Sequence, residues 1–89
     1  MKSDLELHVD AQAVRDLKRL AKSHHPVLAR LKRAIDSLKA DPFQGKALKG
    51  AKEGCRSIRE GDFRIIYEVF QKQRAVLIIR VGDRKEIYR

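Results

Sequence analysis

The sequence has little that could cross-link the chain or anchor it in a membrane. It contains a single cysteine, Cys55, so no disulfide can form within the chain, as is typical of a reducing compartment. No apolar run approaches the roughly 20 residues that span a bilayer. The first residues, MKSDLELHV, carry no signal-peptide core. We therefore expect a soluble, cytoplasmic protein with no membrane partner.

The spacings of a metal site and of a phosphate loop are also missing. His24 and His25 are adjacent, but no second ligand pair stands at a matching distance, so a helix junction is the better interpretation. The glycine-containing loop around Lys46 lacks the Gly-Lys-Ser/Thr ending of a phosphate loop. We expect neither a metal nor a cofactor. Cys55, at the start of a predicted strand, is interpreted as a packing group rather than a nucleophile.

Positive charge is in clear excess. The chain of 89 residues has 21 Lys and Arg against 12 Asp and Glu, a formal net charge of +9. Such an excess favours a polyanionic partner, either nucleic acid or an acidic protein segment. A solvated basic surface with no partner is the alternative. The apolar fraction of 43% is sufficient for one core, which predicts a single domain over residues 1–89.

Hydrophobic patterns predict the element order β-α-α-β-β-β. Residues 5–9 alternate in polarity as a half-buried strand does, and Asp10 is placed to cap a helix that ends near Lys22. Pro26 suits the first turn of a second helix, which ends near Ala40. A basic, mobile loop is predicted for residues 43–54, and strands for residues 56–59, 63–70 and 75–81. The predicted class is α+β, with a two-helix hairpin packed on one face of a mostly antiparallel four-stranded sheet.

Strand alternation predicts that several arginines share the other face. If residues 65, 67 and 69 and residues 77, 79 and 81 pack under the helices, the turn near residues 71–73 needs an odd length or a bulge. Arg64 and Arg80 then lie on the uncovered face, where clustered guanidinium groups suit phosphate oxygens. Surface ion pairs with nearby carboxylates are the alternative. The residues predicted for this face are Ser57, Arg59, Arg64, Arg80 and Arg84, with Tyr88 arriving from the C-terminus.

The segments CRSIREGDFRIIYEV (residues 55–69) and RVGDRKEIY (residues 80–88) together resemble the RelE branch of the RelE/ParE toxin superfamily. Asp41-Pro42 and the KALKG stretch at residues 46–50 are similar as well. The resemblance implies the toxin of a type II toxin–antitoxin pair, an enzyme that cuts mRNA in the ribosomal A site. It implies metal-free cleavage, in which the 2′-hydroxyl attacks the adjacent phosphate. The implied partners are the ribosome, mRNA and an acidic RelB-like antitoxin, with operator DNA contacted only through the antitoxin complex.

By position, Arg59, Arg64, Arg84 and Tyr88 match the catalytic set of that family, whereas Ser57 stands where its best-known branch has a lysine. Arginine is a poor base because its pKa exceeds about 12, so the arginines suit stabilisation of charge and Tyr88 suits proton transfer. The residues predicted to bind RNA are Ser57, Arg80, Lys46, Lys49 and Lys52. A ParE-like poison of DNA gyrase and a non-catalytic member that binds nucleic acid or an antitoxin are the alternatives.

Overall fold

The structure is a computed structural model, and it describes residues 5–87. Two helices pack on a five-stranded sheet of order β1-β5-β4-β3-β2, in which β1 is parallel to β5 and the other neighbours are antiparallel. The predicted α+β class is confirmed, and the four-stranded sheet is corrected to five strands. The elements are β1 (Glu6–Val9), α1 (Ala11–Ser23), α2 (His25–Ser37), β2 (Lys46–Ala47), a 3₁₀ turn (Gly50–Lys52), β3 (Arg56–Glu60), β4 (Phe63–Phe70), β5 (Ala75–Asp83) and α3 (Arg84–Ile87). No helix within residues 5–87 is long and apolar enough to cross a membrane.

The helical hairpin begins as predicted. The Asp10 carboxylate accepts a hydrogen bond from the Gln12 N–H at 3.2 Å, which caps α1. His24 lies between the two helices, as expected of a junction, and its ring meets Phe63 edge-on at 5.3 Å. The prediction for the end of α2 was three residues too long. The Leu38 N–H bonds the Ile35 carbonyl, so the last turn tightens and α2 ends at Ser37.

The bulge in the sheet is not where the sequence predicted it. Phe70 still pairs with Ala75 across a four-residue turn, and the register shifts between Ile66 and Tyr67, which leaves Ile79 without a partner. This extra residue reverses the alternation along β5. Consequently Val76 and Ile78 are buried in the core under the helices instead of the predicted positions 77 and 79, whereas Val81 is buried there as predicted.

The segment predicted as a mobile basic loop is instead ordered by hydrogen bonds. The buried Tyr67 hydroxyl accepts from the Gly45 N–H at 3.0 Å and donates to the Pro42 carbonyl at 2.7 Å. From the next strand, the Arg56 guanidinium donates to the Gly45 carbonyl at 2.8 Å and packs over the Phe43 ring. These contacts anchor the chain just before β2, so β2 can pair with β3. A two-residue strand has no periodicity for sequence analysis to detect.

Candidate active site

A cleft of about 670 Å³ opens on the sheet face opposite the helical hairpin. Three of its side chains are guanidinium groups that come from three different elements: β3, β4 and α3. We call it the arginine cleft; its lining residues are Lys46, Leu48, Ser57, Ile58, Arg59, Arg64 and Arg84. Arg59, Arg64 and Arg84 also line an adjoining depression of about 350 Å³, together with Asp62, Asp83 and Lys85.

Strand register brings the arginines together. Arg59 pairs directly with Arg64 across β3 and β4, so their side chains leave the same face of the sheet. On the opposite neighbouring strand, β5, the residue paired with Arg64 is Gly82. A side chain at Gly82 would meet the Glu86 carboxylate at 3.0 Å and Ile87 at 3.6 Å. The glycine therefore lets α3 fold back over the sheet, beside Arg64.

The short helix α3 is fixed at both ends. The Asp83 carboxylate accepts from the Glu86 N–H at 2.9 Å, which caps the start of the helix. The Ile87 side chain is buried, and the Glu86 carboxylate forms an ion pair with Arg19 of α1 at 3.2 Å. Because α3 begins at Arg84, these contacts set where that guanidinium meets the cleft.

The Arg80 side chain does not join the other predicted arginines in the cleft. Its guanidinium donates to the Asp16 carboxylate at 2.9 Å, and Arg80 is not among the residues that line the arginine cleft. Within residues 5–87 no strand lies beside the β5 edge beyond Val9, and Asp16 also accepts the Val81 N–H there at 2.9 Å. Burial raises the pKa of Asp16, but hydrogen bonds from Arg80, Val81 and Gln12 outweigh it, so its pKa lies below the ordinary 3.8.

The other predicted site residues divide into three groups. Lys46 and Ser57 line the arginine cleft and are cross-strand partners between β2 and β3. Lys49 precedes the 3₁₀ turn and Lys52 is its last residue. Neither lines the cleft. Tyr88 lies outside the described residues, so its predicted catalytic role stays a prediction.

Sequence analysis missed a second group of cations beside the cleft. Arg30 and Arg33 of α2 share a depression of about 380 Å³ with Arg59. The approach of a helix to the edge of β3 is a tertiary contact, and no local pattern in the sequence reports it. The helical period would have predicted only that Arg30 and Arg33 lie on the polar side of α2.

The chemistry of the arginine cleft is that of an anion site. Within residues 5–87, no group of three or more His, Cys, Asp or Glu side chains is arranged to hold a metal ion. The cleft instead presents planar guanidinium groups and one ammonium, which match phosphate oxygens in charge and geometry. Fold and cleft thus define a class: a small α+β protein with cationic side chains converging on the sheet face opposite its helices.

Comparison with known proteins identifies the family. The profile described as "ParE toxin of type II toxin-antitoxin system, parDE" matches residues 7–88. The chain is 34% identical to the toxin RelE of Mycobacterium tuberculosis over 92 residues, covering all of this chain and 93% of the relative. It is also 34% identical to RelE1 of Methanocaldococcus jannaschii over 94 residues, covering all of this chain and 98% of the relative. The chain belongs to the RelE/ParE superfamily and is a toxin of a type II toxin–antitoxin system.

A solved structure agrees with this assignment. The structure of the RelBE2 toxin–antitoxin complex from M. tuberculosis contains a chain that superimposes with a TM-score of 0.81 at 28% identity. The match covers 91% of this chain and 99% of that chain. The predicted resemblance to the RelE/ParE superfamily is confirmed.

Proposed function

We propose that this toxin is a ribosome-dependent mRNA endonuclease. The observation that carries the proposal is the convergence of Arg59, Arg64 and Arg84 on one open cleft. In the proposed reaction a ribose 2′-hydroxyl loses its proton and attacks the adjacent phosphorus. The bond from phosphorus to the 5′-oxygen then breaks, which leaves a 2′,3′-cyclic phosphate and a 5′-hydroxyl.

The arginines would stabilise the negative charge of the pentavalent phosphorane. A guanidinium group stays protonated at neutral pH, so these three side chains can donate hydrogen bonds but cannot act as bases. Preorganised donors of this kind commonly contribute a factor of about 10²–10³ each to the rate. Tyr88 remains the predicted group for proton transfer at the 2′-hydroxyl.

The openness of the cleft supports dependence on a larger assembly. As formed by residues 5–87, the arginine cleft is an open surface groove between the β3–β4 hairpin and the short helix α3. Orienting the attacking hydroxyl in line with the scissile bond can account for a large part of a rate enhancement. The ribosome holds mRNA in a fixed path and would supply that orientation, so the toxin would act in the cytoplasm.

The proposed silencing partner is an acidic, RelB-like antitoxin. The structural relative from M. tuberculosis was solved as a toxin–antitoxin complex. A formal net charge of +9 on this chain favours an acidic partner. We expect operator DNA to be contacted only through that complex.

The test is to replace the cleft arginines singly. Arg64→Ala and Arg84→Ala should each slow cleavage of mRNA on programmed ribosomes by about 10²-fold or more and should abolish growth arrest. Lys72→Ala removes the same charge from the exposed β4–β5 turn, away from the cleft, and is the matched control. Circular dichroism should report unchanged folding for all three variants. Undiminished cleavage by both arginine variants would contradict the proposal.

A second candidate is a poison of DNA gyrase that acts through protein contact. The match of residues 7–88 to the ParE family profile favours it. Induction of the toxin followed over time separates the two activities. Arrest of translation before any DNA-damage signal supports the endonuclease, whereas early DNA damage and cleavage complexes with purified gyrase support the poison.

A further inference from the structure

The proposed reaction needs a proton for the leaving 5′-oxygen, and the three arginines of the cleft are poor sources. An arginine pKa above about 12 makes the guanidinium a weak acid. A lysine ammonium, with an ordinary pKa near 10.4, is a better donor and is still protonated at neutral pH. Lys46 is the only lysine among the described residues that line the arginine cleft.

Strand pairing directs Lys46 toward the cleft. It is the cross-strand partner of Ser57, so both side chains leave the same face as Arg59, two residues further along β3. Directly opposed residues have Cβ atoms about 4.5–5.5 Å apart. Ser57 is buried and short, so it leaves the space above it to the long side chain of Lys46.

The backbone around Lys46 is held on both sides. Before it, Gly45 is bound through its N–H by Tyr67 and through its carbonyl by Arg56. After it, the Leu48 N–H donates to the Cys55 carbonyl at 3.0 Å. The ammonium therefore sits on a flexible stem, but the stem starts from a fixed point, as positioned acid catalysts require.

The other candidates for this role fit less well. Lys85 lines the adjoining depression but not the arginine cleft. The Cys55 thiol does not line the cleft, and burial together with Glu68 raises its pKa. Neither lies on β2, the edge strand that pairs with β3 at Ser57.

We propose that Lys46 is the general acid of this toxin, an inference that rests on the proposed endonuclease function. As the bond from phosphorus to the 5′-oxygen breaks, its electron pair moves to that oxygen. The Lys46 ammonium transfers a proton to the same oxygen, is left as a neutral amine, and is reprotonated by water. A separate base removes the proton of the 2′-hydroxyl.

The experiment compares two RNA substrates on programmed ribosomes. One is ordinary RNA, and the other carries sulfur in place of the bridging 5′-oxygen at the cleaved bond. A thiolate is a stable leaving group and needs no proton. Lys46→Ala should slow cleavage of ordinary RNA by about 10²-fold or more and cleavage of the sulfur substrate by far less. Lys46→Arg keeps the charge and should be as impaired as Lys46→Ala on ordinary RNA.

Two further variants complete the design. Lys72→Ala is the control for loss of one positive charge and should cleave both substrates as the unaltered toxin does. Ser57→Lys in the Lys46→Ala protein places an ammonium on the neighbouring strand position and should restore part of the rate. Circular dichroism checks that each variant folds.

The outcomes separate the two proposals. If the unaltered toxin does not cleave programmed mRNA, the endonuclease proposal fails, and the role of Lys46 falls with it. If the toxin cleaves mRNA but Lys46→Ala is equally active, only the acid role is overturned. Equal losses on the oxygen and sulfur substrates would likewise overturn it, because they would assign Lys46 to RNA binding.

Discussion

Gly45 shows how one residue without a side chain holds the site together. It lies where the Tyr67 hydroxyl and the Arg56 guanidinium converge on the backbone before β2. A Cβ atom at this position would stand 2.5 Å from the Tyr67 hydroxyl oxygen and 2.8 Å from the Ser57 carbonyl oxygen. The second of these atoms is backbone of a paired strand and cannot move cheaply.

We therefore expect Gly45→Ala to destabilise the protein by about 1–3 kcal/mol, the usual cost of overpacking a filled site. The measurement is the midpoint of urea unfolding. Gly50→Asn is the comparison, because a side chain at Gly50 meets open space and bears only the strain of a φ of 72°, which asparagine accepts more readily than most residues. It should therefore cost less than Gly45→Ala. Equal stabilities of Gly45→Ala and the parent protein would contradict this prediction, because they would show that the backbone before β2 shifts to accommodate the added methyl group.

At the residue scale, sequence reasoning placed Arg59, Arg64 and Arg84 together, and the structure brings them to one cleft. It wrongly grouped Arg80 with them, for a physical reason. Alternation assigns a side chain to a face of the sheet, but the Arg80 side chain meets Asp16 at the β5 edge that β1 leaves open. The partner is 64 residues away in sequence, so no local pattern could reveal it.

A small group of charged side chains connects α1 to the strand β5 and to the short helix α3. Asp16 is fully buried, accepts from Arg80 and Val81 of β5, and pairs with Arg19, which reaches Glu86 of α3. Removing one member of a buried pair commonly costs about 3–5 kcal/mol, because it leaves the partner uncompensated. Since Arg80 keeps 27% of its side chain exposed, we expect a cost near the lower end of that range.

Asp16→Asn should thus lower the stability by about 3 kcal/mol at neutral pH. The pKa of Asp16 is lowered in the folded protein, so its contribution is present above the ordinary value of 3.8 and is lost as pH falls below it. The two proteins should therefore approach each other in stability below pH 3.8. Urea unfolding between neutral and acid pH measures this, and a constant difference across that range would contradict it.

At the element scale, the helices and the three long strands were predictable because each carries enough residues to show a period. The two-residue β2 and the four-residue α3 were not, because tertiary contacts define them. The position of the bulge could not be predicted from the sequence either. Both strands around it are apolar on both faces, so hydrophobicity alone does not fix their register.

At the scale of the whole molecule, lysine and arginine occur along the entire chain, but only some of them line the cleft and its neighbouring depression. The arginine cleft and the depression at Arg30 and Arg33 meet at Arg59. Together they place basic side chains from β2 to α2, although Glu60 also lines the depression and pairs with Arg30 at 4.0 Å. A bound RNA strand would displace counterions along this surface, whereas a charge elsewhere would contribute little.

Binding of a single-stranded RNA oligonucleotide should accordingly weaken steeply with salt. Each lost phosphate contact should reduce the slope of log K against log salt by about 0.7. We expect Arg59→Ala to show that reduction and Lys72→Ala to keep the parent slope, in fluorescence anisotropy titrations over a salt series. Identical slopes for both variants would mean that only the net charge matters.

The pairing of β1 with β5 also has a consequence for when the toxin can become active. Its first described strand lies beside its last, and the long-range pairs Glu6 with Ala75 and Asp16 with Arg80 close only after β5 has been made. Arg84 is synthesised later still. The arginine cleft can therefore form only after β5 and α3 have both been synthesised. The order of synthesis therefore leaves an interval in which an antitoxin can meet the unfinished fold.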